Sequence, residues 1–335
     1  MNIPNNHLVR RLFSGAIPYG ALACILLAAV WFPTPDGRPV SAVFLTWDNA
    51  RFAAAQGIVT GLGALGMGLI LLSGGIDLSA GAAALLSGIV TALLFQSGAS
   101  AFTALGAGML AGGALGLLNG SLAALLPVPP WALTLGTLAA ARGAALWLAA
   151  EAPVPLPDRA GGLAAWVGPF SGARWMPCAP GVWIVLLGAA LLAVLWRGSV
   201  FGRHAAAVGS SETAARLCGV PIRRTKVFIY TLAGFCFGLA GVAQAAATGQ
   251  ASPAGGSGLA LEWIAAAVLG GVRLGGGAGS LWGALLGAAV LTVLHNACQQ
   301  AGWPVPLQQI VLAGVLIAAV ALDRLRHGLC AVNTS

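Results

Sequence analysis

Charged residues are scarce in this chain. The 335 residues include 16 Lys and Arg and 8 Asp and Glu, which together make up 7% of the sequence. A soluble domain typically has about a quarter of its residues charged. Apolar residues account for 59% of the chain, and the mean hydropathy is +0.90. The composition therefore excludes a soluble globular enzyme and predicts an all-α integral membrane protein.

The signatures of metal proteins and nucleotide-binding enzymes are also missing. The six cysteines show no CxxC spacing and the four histidines are scattered, so neither a disulfide framework nor a metal site is indicated. The single lysine, Lys226, does not follow a GxxxxG loop, which excludes a P-loop ATPase. Residues 61–66 match GxGxxG, but no strand precedes this apolar run. We expect no cofactor in this chain.

Long apolar runs, in contrast, are abundant. The first run follows Arg10 and Arg11 and lacks a small-residue cleavage site, so we predict a retained span rather than a signal peptide. A helix needs about 20 apolar residues to cross a membrane. We therefore predict a polytopic protein of about ten spans, of which the short eighth is a candidate re-entrant segment. The spans cover about 16–33, 52–73, 79–96, 101–126, 131–150, 180–197, 227–247, 260–272, 279–299 and 305–322.

The basic residues predict the orientation, because Lys and Arg resist translocation. With the amino terminus inside, eleven basic residues are cytoplasmic, four are outside, and Arg142 lies within a span. We predict both termini in the cytoplasm and one permease domain over 1–335. It comprises a cytoplasmic amino terminus at 1–15, a membrane domain at 16–322 with a cytoplasmic loop at 198–226, and a cytoplasmic tail at 323–335. The +8 net charge then lies on connectors, so nucleic-acid binding is not expected.

Glycines recur at every fourth position in two predicted spans. Without side chains along one stripe, two helices can approach closely in lipid. Packing within one chain and a seam between two moving or dimerising parts both explain such ladders. The ladders are Gly112, Gly116 and Gly120 in the fourth span and Gly279, Gly283 and Gly287 in the ninth.

Polar side chains lie within or beside several spans, where a charge at mid-depth costs roughly 2.5–3.5 kcal/mol. We predict that they line a hydrophilic path for a polar solute. Structural alternatives exist: Asp77 is placed to cap the next helix, Arg142 to form an ion pair with Asp77, and Glu262 to act at a helix terminus. The predicted pathway residues are Asp77, Asn119, Thr134, Arg142, Glu262 and Asn296.

The longest cytoplasmic loop contains a helix signature. Ser210 and Glu212 precede a run of small residues, and Gly219 and Pro221 follow it, which predicts a short capped helix. Three basic residues flank this helix, at Arg203, Arg223 and Arg224. A compact projection with charges around it is suited to docking a partner protein. The alternative is a basic membrane anchor with no partner.

Four segments together resemble the membrane subunits of bacterial ABC importers for monosaccharides, the ribose-type permeases. They are GGIDLSAG at 74–81, PPWALTLGT with AARG across 129–143, AARLCGV at 214–220 and GSLWGALLGA at 279–288. The similarity runs in the same order from about residue 50 to residue 323. The chain departs from the family pattern at Thr213, where a glutamate is usual, and at Ala260 and Ala278, where acidic and basic residues are common.

The resemblance implies a multi-pass inner-membrane permease that pairs with a second permease chain and with two ATP-binding subunits, which alone hydrolyse ATP. A periplasmic solute-binding protein would deliver a sugar for alternating access. By position, the resemblance assigns coupling to the ATPase to Glu212, Ala214, Ala215, Arg216, Leu217 and Gly219.

Two other classes of function are less favoured by the residues. The alternative is an ion-coupled secondary transporter of a small polar solute, for which Asp77 and Glu262 would be the intramembrane carboxylates. A membrane enzyme lacks an evident constellation of His, Asp or Cys near a membrane face. We therefore expect a non-catalytic translocating subunit.

Overall fold

The computed structural model describes residues 44–157, 165–168, 177–256, 258–315 and 317–318. Four predicted parts lie wholly or partly outside these described residues. They are the amino terminus at 1–15, the first span at 16–33, the last part of the tenth span and the tail at 323–335.

The described chain consists of helices joined by turns and loops, and its strands form one short antiparallel ladder. The strands β1 (Val154–Pro155) and β2 (Gln250–Ala251) form that ladder. The helices are α1 (Trp47–Leu72), α2 (Ala80–Gln96), α3 (Ala101–Leu125), α4 (Pro130–Leu148), α5 (Pro180–Gly198), α6 (Val200–Ser210), α7 (Glu212–Leu217), α8 (Ile222–Thr248), α9 (Leu259–Leu269), α10 (Leu281–Gln300) and α11 (Val305–Val315).

Each predicted span from residue 52 onward overlaps a described helix, the tenth over Val305–Val315, which confirms the all-α polytopic class. Within the described ranges, α1, α3, α5, α8 and α10 are long and apolar enough to cross a membrane. The 11 residues of α9 extend only about 16 Å at 1.5 Å per residue, about half of the bilayer core. The eighth predicted span is therefore a half-length helix. The total number of spans and the sides of the termini remain predictions.

The segment between α5 and α8 differs from the sequence prediction in two ways. Helix α8 begins at Ile222, five residues before the predicted span, so its first turns project beyond the apolar run. The loop at 198–226 also contains a helix that was not predicted, the 11-residue α6, which is capped by Ser199. The segment between α5 and α8 is thus largely helical.

Helices α3 and α8 pack with their backbones in contact. A Cβ atom on Gly112 would lie 2.5 Å from the carbonyl oxygen of Gly234, and one on Gly234 would lie 2.9 Å from Cα of Gly116. A side chain at either position would overlap the opposite backbone. The first glycine ladder is therefore explained by packing within the chain.

The second ladder has the same role between α9 and α10. Gly283 contacts the carbonyl group of Gly270, and Gly287 contacts that of Ala266. Gly279 lies outside the helix, in the preceding turn, where its φ of +129° suits only glycine.

The GxGxxG match at 61–66 lies in the interior of α1. Gly63 and Gly66 leave space for the rings of Trp263 and Phe237, respectively. These rings stack with their centroids 5.4 Å apart. The glycines thus allow α8 and α9 to pack against α1, and no strand-to-helix turn exists there to cradle a nucleotide.

Candidate functional site

The polar residues predicted to line a path fall into separate groups. One group lies at the end of the molecule where α1 ends and α2 begins. A second lies at the opposite end, beside the first turn of α1. Glu262 lies between these levels, and Arg142 is exposed on α4.

The first group is centred on Asp77, which is only 2% exposed. The backbone N–H and the hydroxyl of Ser79 donate to Asp77 Oδ1 at 2.8 and 2.6 Å. Asn119 Nδ2 donates to Asp77 Oδ2 at 3.1 Å and to Ser79 Oγ at 2.7 Å. The N–H of Leu78 donates to Thr134 Oγ1 at 3.1 Å. This network ties the α1–α2 turn to α3 and α4.

The carboxylate of Asp77 has a local structural role, but it is not the predicted cap of α2, because the N-cap residue is Ser79. It accepts the N–H of the residue that precedes α2, where helix amides lack intrahelical acceptors. Arg142 does not pair with it: within the described ranges, both ion pairs involve Glu212. The reason is geometric, since Arg142 lies eight residues beyond Thr134, about 12 Å farther along α4. The predicted Arg142–Asp77 ion pair is not formed.

The second group is an amide pair that joins α1 to α10. Asn49 Nδ2 donates to Asn296 Oδ1 at 2.9 Å, and Asn296 Nδ2 donates to Asn49 Oδ1 at 3.0 Å. Gln300 Nε2 also donates to Asn49 Oδ1 at 2.9 Å. Both asparagines are buried. Asn296 thus serves a helix–helix contact.

This amide pair permits a double-mutant test. Replacing Asn49 by leucine leaves the Asn296 amide buried without its partner, so this variant should lose about 1–3 kcal/mol of unfolding free energy. Replacing Asn296 by leucine should cost less, because Asn49 keeps its hydrogen bonds to Gln300 and to the carbonyl oxygen of Phe44. The double variant should lose less than the sum of the two. Denaturant unfolding of the purified chain in detergent measures all three. Strictly additive losses would show that the amides are not coupled.

Glu262 lies in the first turn of the half-length helix α9. Its Oε1 atom accepts a hydrogen bond from Thr60 Oγ1 of α1 at 2.9 Å. A carboxylate at this position also interacts favourably with the helix dipole. The helix-terminus alternative for Glu262 is thus compatible with its position, and the side chain remains only partly buried.

The short helix predicted in the 198–226 loop is confirmed as α7, which has six residues. Its cap is Ser211, whose Oγ accepts from the N–H of Ala214 at 3.3 Å. Gly219 follows with a φ of +76°. Helix α7 is therefore defined by a polar cap at its start and a left-handed glycine after its end.

The two faces of α7 differ in exposure. Leu217 is 85% exposed, whereas Ala215 is 4% exposed and packs with Val208 and Ile222. Among the positions assigned to coupling, Ala215 thus lies on the buried face and packs α7 against α6 and α8. The assigned residues on the exposed surface are Ala214, Arg216, Leu217 and Gly219.

Glu212 connects α7 to α8 through two cations. Lys226 Nζ lies 2.7 Å from Glu212 Oε2, and Arg216 Nη2 lies 3.3 Å from Glu212 Oε1. The Lys226 side chain is 17% exposed, so this contact is more shielded from water than the pair with Arg216. The acidic residue thus restrains α7 against the first turns of α8.

A glycine junction links the same segment to the ends of other helices. The N–H of Gly277 donates to the carbonyl oxygen of Leu72, the last residue of α1, at 3.0 Å. A Cβ atom on Gly209 of α6 would lie 2.9 Å from the nitrogen of Gly277, and one on Gly276 would lie 2.7 Å from Cα of Gly74. This junction, formed by Leu72–Gly74, Gly209 and Gly276–Gly277, was not predicted from the sequence.

Comparison with known proteins identifies the family. The family described as branched-chain amino acid transport system / permease component matches residues 49–320. The chain is 34% identical over 283 residues to the D-allose transport system permease protein of Escherichia coli K12, covering 84% of this chain and 85% of that protein. It is 33% identical over 287 residues to the ribose import permease protein of the same strain, covering 85% and 88%.

A further relative is the L-arabinose ABC transporter permease protein of Azospirillum brasilense, which is 31% identical over 303 residues, covering 90% of this chain and 86% of that protein. No solved structure matches the chain. Members of this family are transport components rather than catalysts, and membership implies ATP-binding and solute-binding partners. The match over most of the chain, together with its apolar helices, shows that this multi-pass inner-membrane protein belongs to the family of ABC transporter permease components, with the ribose-type permeases among its relatives.

Proposed function

We propose that this chain is the translocating subunit of an ATP-driven importer of a monosaccharide. The observation that carries the proposal is the exposed α7, held on the membrane helices by Ala215 and by the Glu212–Lys226 contact. A docking helix must be both accessible to a partner and mechanically attached to the spans. The D-allose, ribose and L-arabinose permeases among the relatives support a monosaccharide as the solute.

In this proposal an ATP-binding subunit binds the exposed surface of α7. Closure of the two ATP-binding subunits displaces α7, and the packed helices convert the displacement into alternating access. A periplasmic solute-binding protein delivers the sugar, and a second permease chain completes the membrane part. ATP is bound by the partner subunits, and this chain carries out no covalent step. The coupling residues are Glu212, Ala214, Ala215, Arg216, Leu217 and Gly219.

The polar residues divide between two roles in the proposed path. Arg142 and Glu262 have side chains that are not fully buried, so we assign contact with the hydrated solute to them. Buried residues whose side chains form hydrogen bonds to other elements instead hold the helices that bound the path. These are Asp77, Asn119, Thr134 and Asn296.

Reconstitution in vesicles tests the function. The chain is incorporated with its ATP-binding subunits, the solute-binding protein is added outside, and uptake of labelled ribose, allose and arabinose is measured. Accumulation should require ATP inside and should stop with a non-hydrolysable analogue. Ionophores that collapse proton and sodium gradients should leave it unchanged.

The same assay distinguishes the proposed ATP-driven importer from an ion-coupled secondary transporter. Vesicles that contain the permease chain alone should show no uphill uptake under a proton or sodium gradient. Gradient-driven accumulation by the chain alone would instead identify an ion-coupled secondary transporter and would refute the proposed function.

A further inference from the structure

A pocket of about 700 Å³ lies beside α7, at the end of the molecule predicted to be cytoplasmic. One wall is the end of α3 and the α3–α4 connector, residues 123–130. The opposite wall is formed by α7 and the first turns of α8. The volume lies within the range typical of small-molecule sites.

The pocket is strongly basic. Its lining includes one acidic residue, Glu212, and four basic residues, Arg216, Arg223, Arg224 and Lys226. Glu212 already contacts Arg216 and Lys226. In the part of the chain that the structure describes, Arg223 and Arg224 form no ion pair. Two guanidinium groups therefore remain available at the pocket for an anion.

The backbone adds to this positive potential. Helix α8 begins beside the pocket at Ile222, and no side chain caps it, because the preceding residue is Pro221. The positive end of a 27-residue helix favours an anion at that place. The helix dipole and the guanidinium groups thus both favour the binding of an anion in the pocket.

The wall opposite the cations is apolar and exposed. Leu125 and Val128 line this wall, and Trp131 follows directly after it at the start of α4; each of the three is at least 43% exposed. Tryptophan is enriched where membrane helices meet the headgroup region. Basic groups are thus juxtaposed with apolar surface at the end of the molecule predicted to be cytoplasmic, and basic pockets between membrane helices on that side bind anionic headgroups.

We propose that this pocket binds a phosphate group through Arg223 and Arg224. The planar guanidinium forks of these residues are suited to bidentate contacts with phosphate oxygens. Two sources share this chemistry: the headgroup of an anionic phospholipid and a soluble phosphate. The pocket adjoins the surface of α7 proposed for the ATP-binding subunit and shares Glu212 and Arg216 with it, whereas Arg223 and Arg224 lie on α8, outside the residues assigned to coupling. The proposal does not depend on the identity of the transported solute.

The test uses the purified full chain and two probes. Inorganic phosphate is titrated by calorimetry in detergent. Binding of phosphatidylglycerol is measured by native mass spectrometry and by comparing nanodiscs of phosphatidylcholine with and without that lipid. The double variant Arg223→Gln/Arg224→Gln should bind about 30-fold more weakly, the size expected of two basic side chains at an anionic partner.

The matched control is Arg197→Gln/Arg203→Gln. It removes the same charge from the same predicted side of the membrane, at exposed residues outside the pocket. The control should change binding by less than about threefold, because only distant electrostatics are altered. Binding of phosphate alone assigns the site to a soluble ligand, and binding of the lipid alone assigns it to a headgroup.

A third variant, which is expected to bind more tightly, distinguishes loss of the site from misfolding. Glu212→Gln removes the acidic residue of the pocket and releases Arg216 and Lys226, so binding of the same probe should tighten. Loss of folded structure would not produce that gain. The proposal is refuted if neither probe binds, or if the pocket variant and the control lose affinity equally.

Discussion

The Gly234→Val variant is expected to lose the folded membrane domain. Gly234 faces the backbone of α3, and a Cβ atom there would lie 2.9 Å from Cα of Gly116 and still closer to the carbonyl oxygen of Gly112. Overpacking typically costs about 1–3 kcal/mol when side chains can yield. Here the opposing atoms are backbone, so α3 and α8 must separate, and we expect a loss above about 3 kcal/mol.

Thermal unfolding and gel filtration in detergent measure this effect. The control is Gly106→Val on α3, because a Cβ atom at Gly106 has no neighbour within 4 Å. Valine also has a higher helix propensity than glycine, so the control should be neutral or slightly stabilising. Equal stability of the two variants would contradict the backbone contact between α3 and α8.

The Arg216→Glu variant should lose ATP-driven uptake while remaining folded and inserted. Arg216 is exposed on α7, and reversing its charge places two acidic groups on the proposed docking surface, because Glu212 lies one turn away. Residues central to an interface often contribute about 2 kcal/mol or more, so uptake should fall at least about 30-fold. The assay is sugar uptake in the reconstituted vesicles, with membrane insertion checked in parallel.

Two further variants define the origin of this loss. Arg203→Glu reverses a charge in the same loop, on α6 rather than α7, and should retain most of the uptake. Leu217→Asp alters the most exposed apolar residue of α7 and should reproduce the loss. Normal uptake by Arg216→Glu would remove the basis for assigning the docking role to α7.

The helices were largely predictable because lipid imposes a strong constraint on sequence. A segment that crosses the hydrocarbon layer must be apolar over most of its length, and its backbone must be hydrogen-bonded within the helix. The boundaries of α2 and α3 consequently agree with the predicted spans within one residue. The short helix α7 was predictable for a local reason, since a polar residue precedes it and glycine and proline follow it.

The arrangement of the polar residues was not predictable in the same way. The position of a residue along a span indicates its depth in the membrane. Which helix its side chain contacts depends on the rotation of each helix about its axis, which the position does not give. Asp77 and Arg142 were plausible partners by depth, whereas Asp77 contacts Asn119 and Ser79 instead. The Asn49–Asn296 pair joins residues 247 positions apart and has no local signature.

The glycine junction between α6, the end of α1 and the α9–α10 turn has a mechanical consequence. Compliance in a protein interface comes largely from side chains that change rotamer, and Gly209, Gly276 and Gly277 have none. Their backbones abut directly, so a displacement of α6 cannot be absorbed locally. We therefore expect a displacement of α6 to move the end of α1 and the α9–α10 turn together.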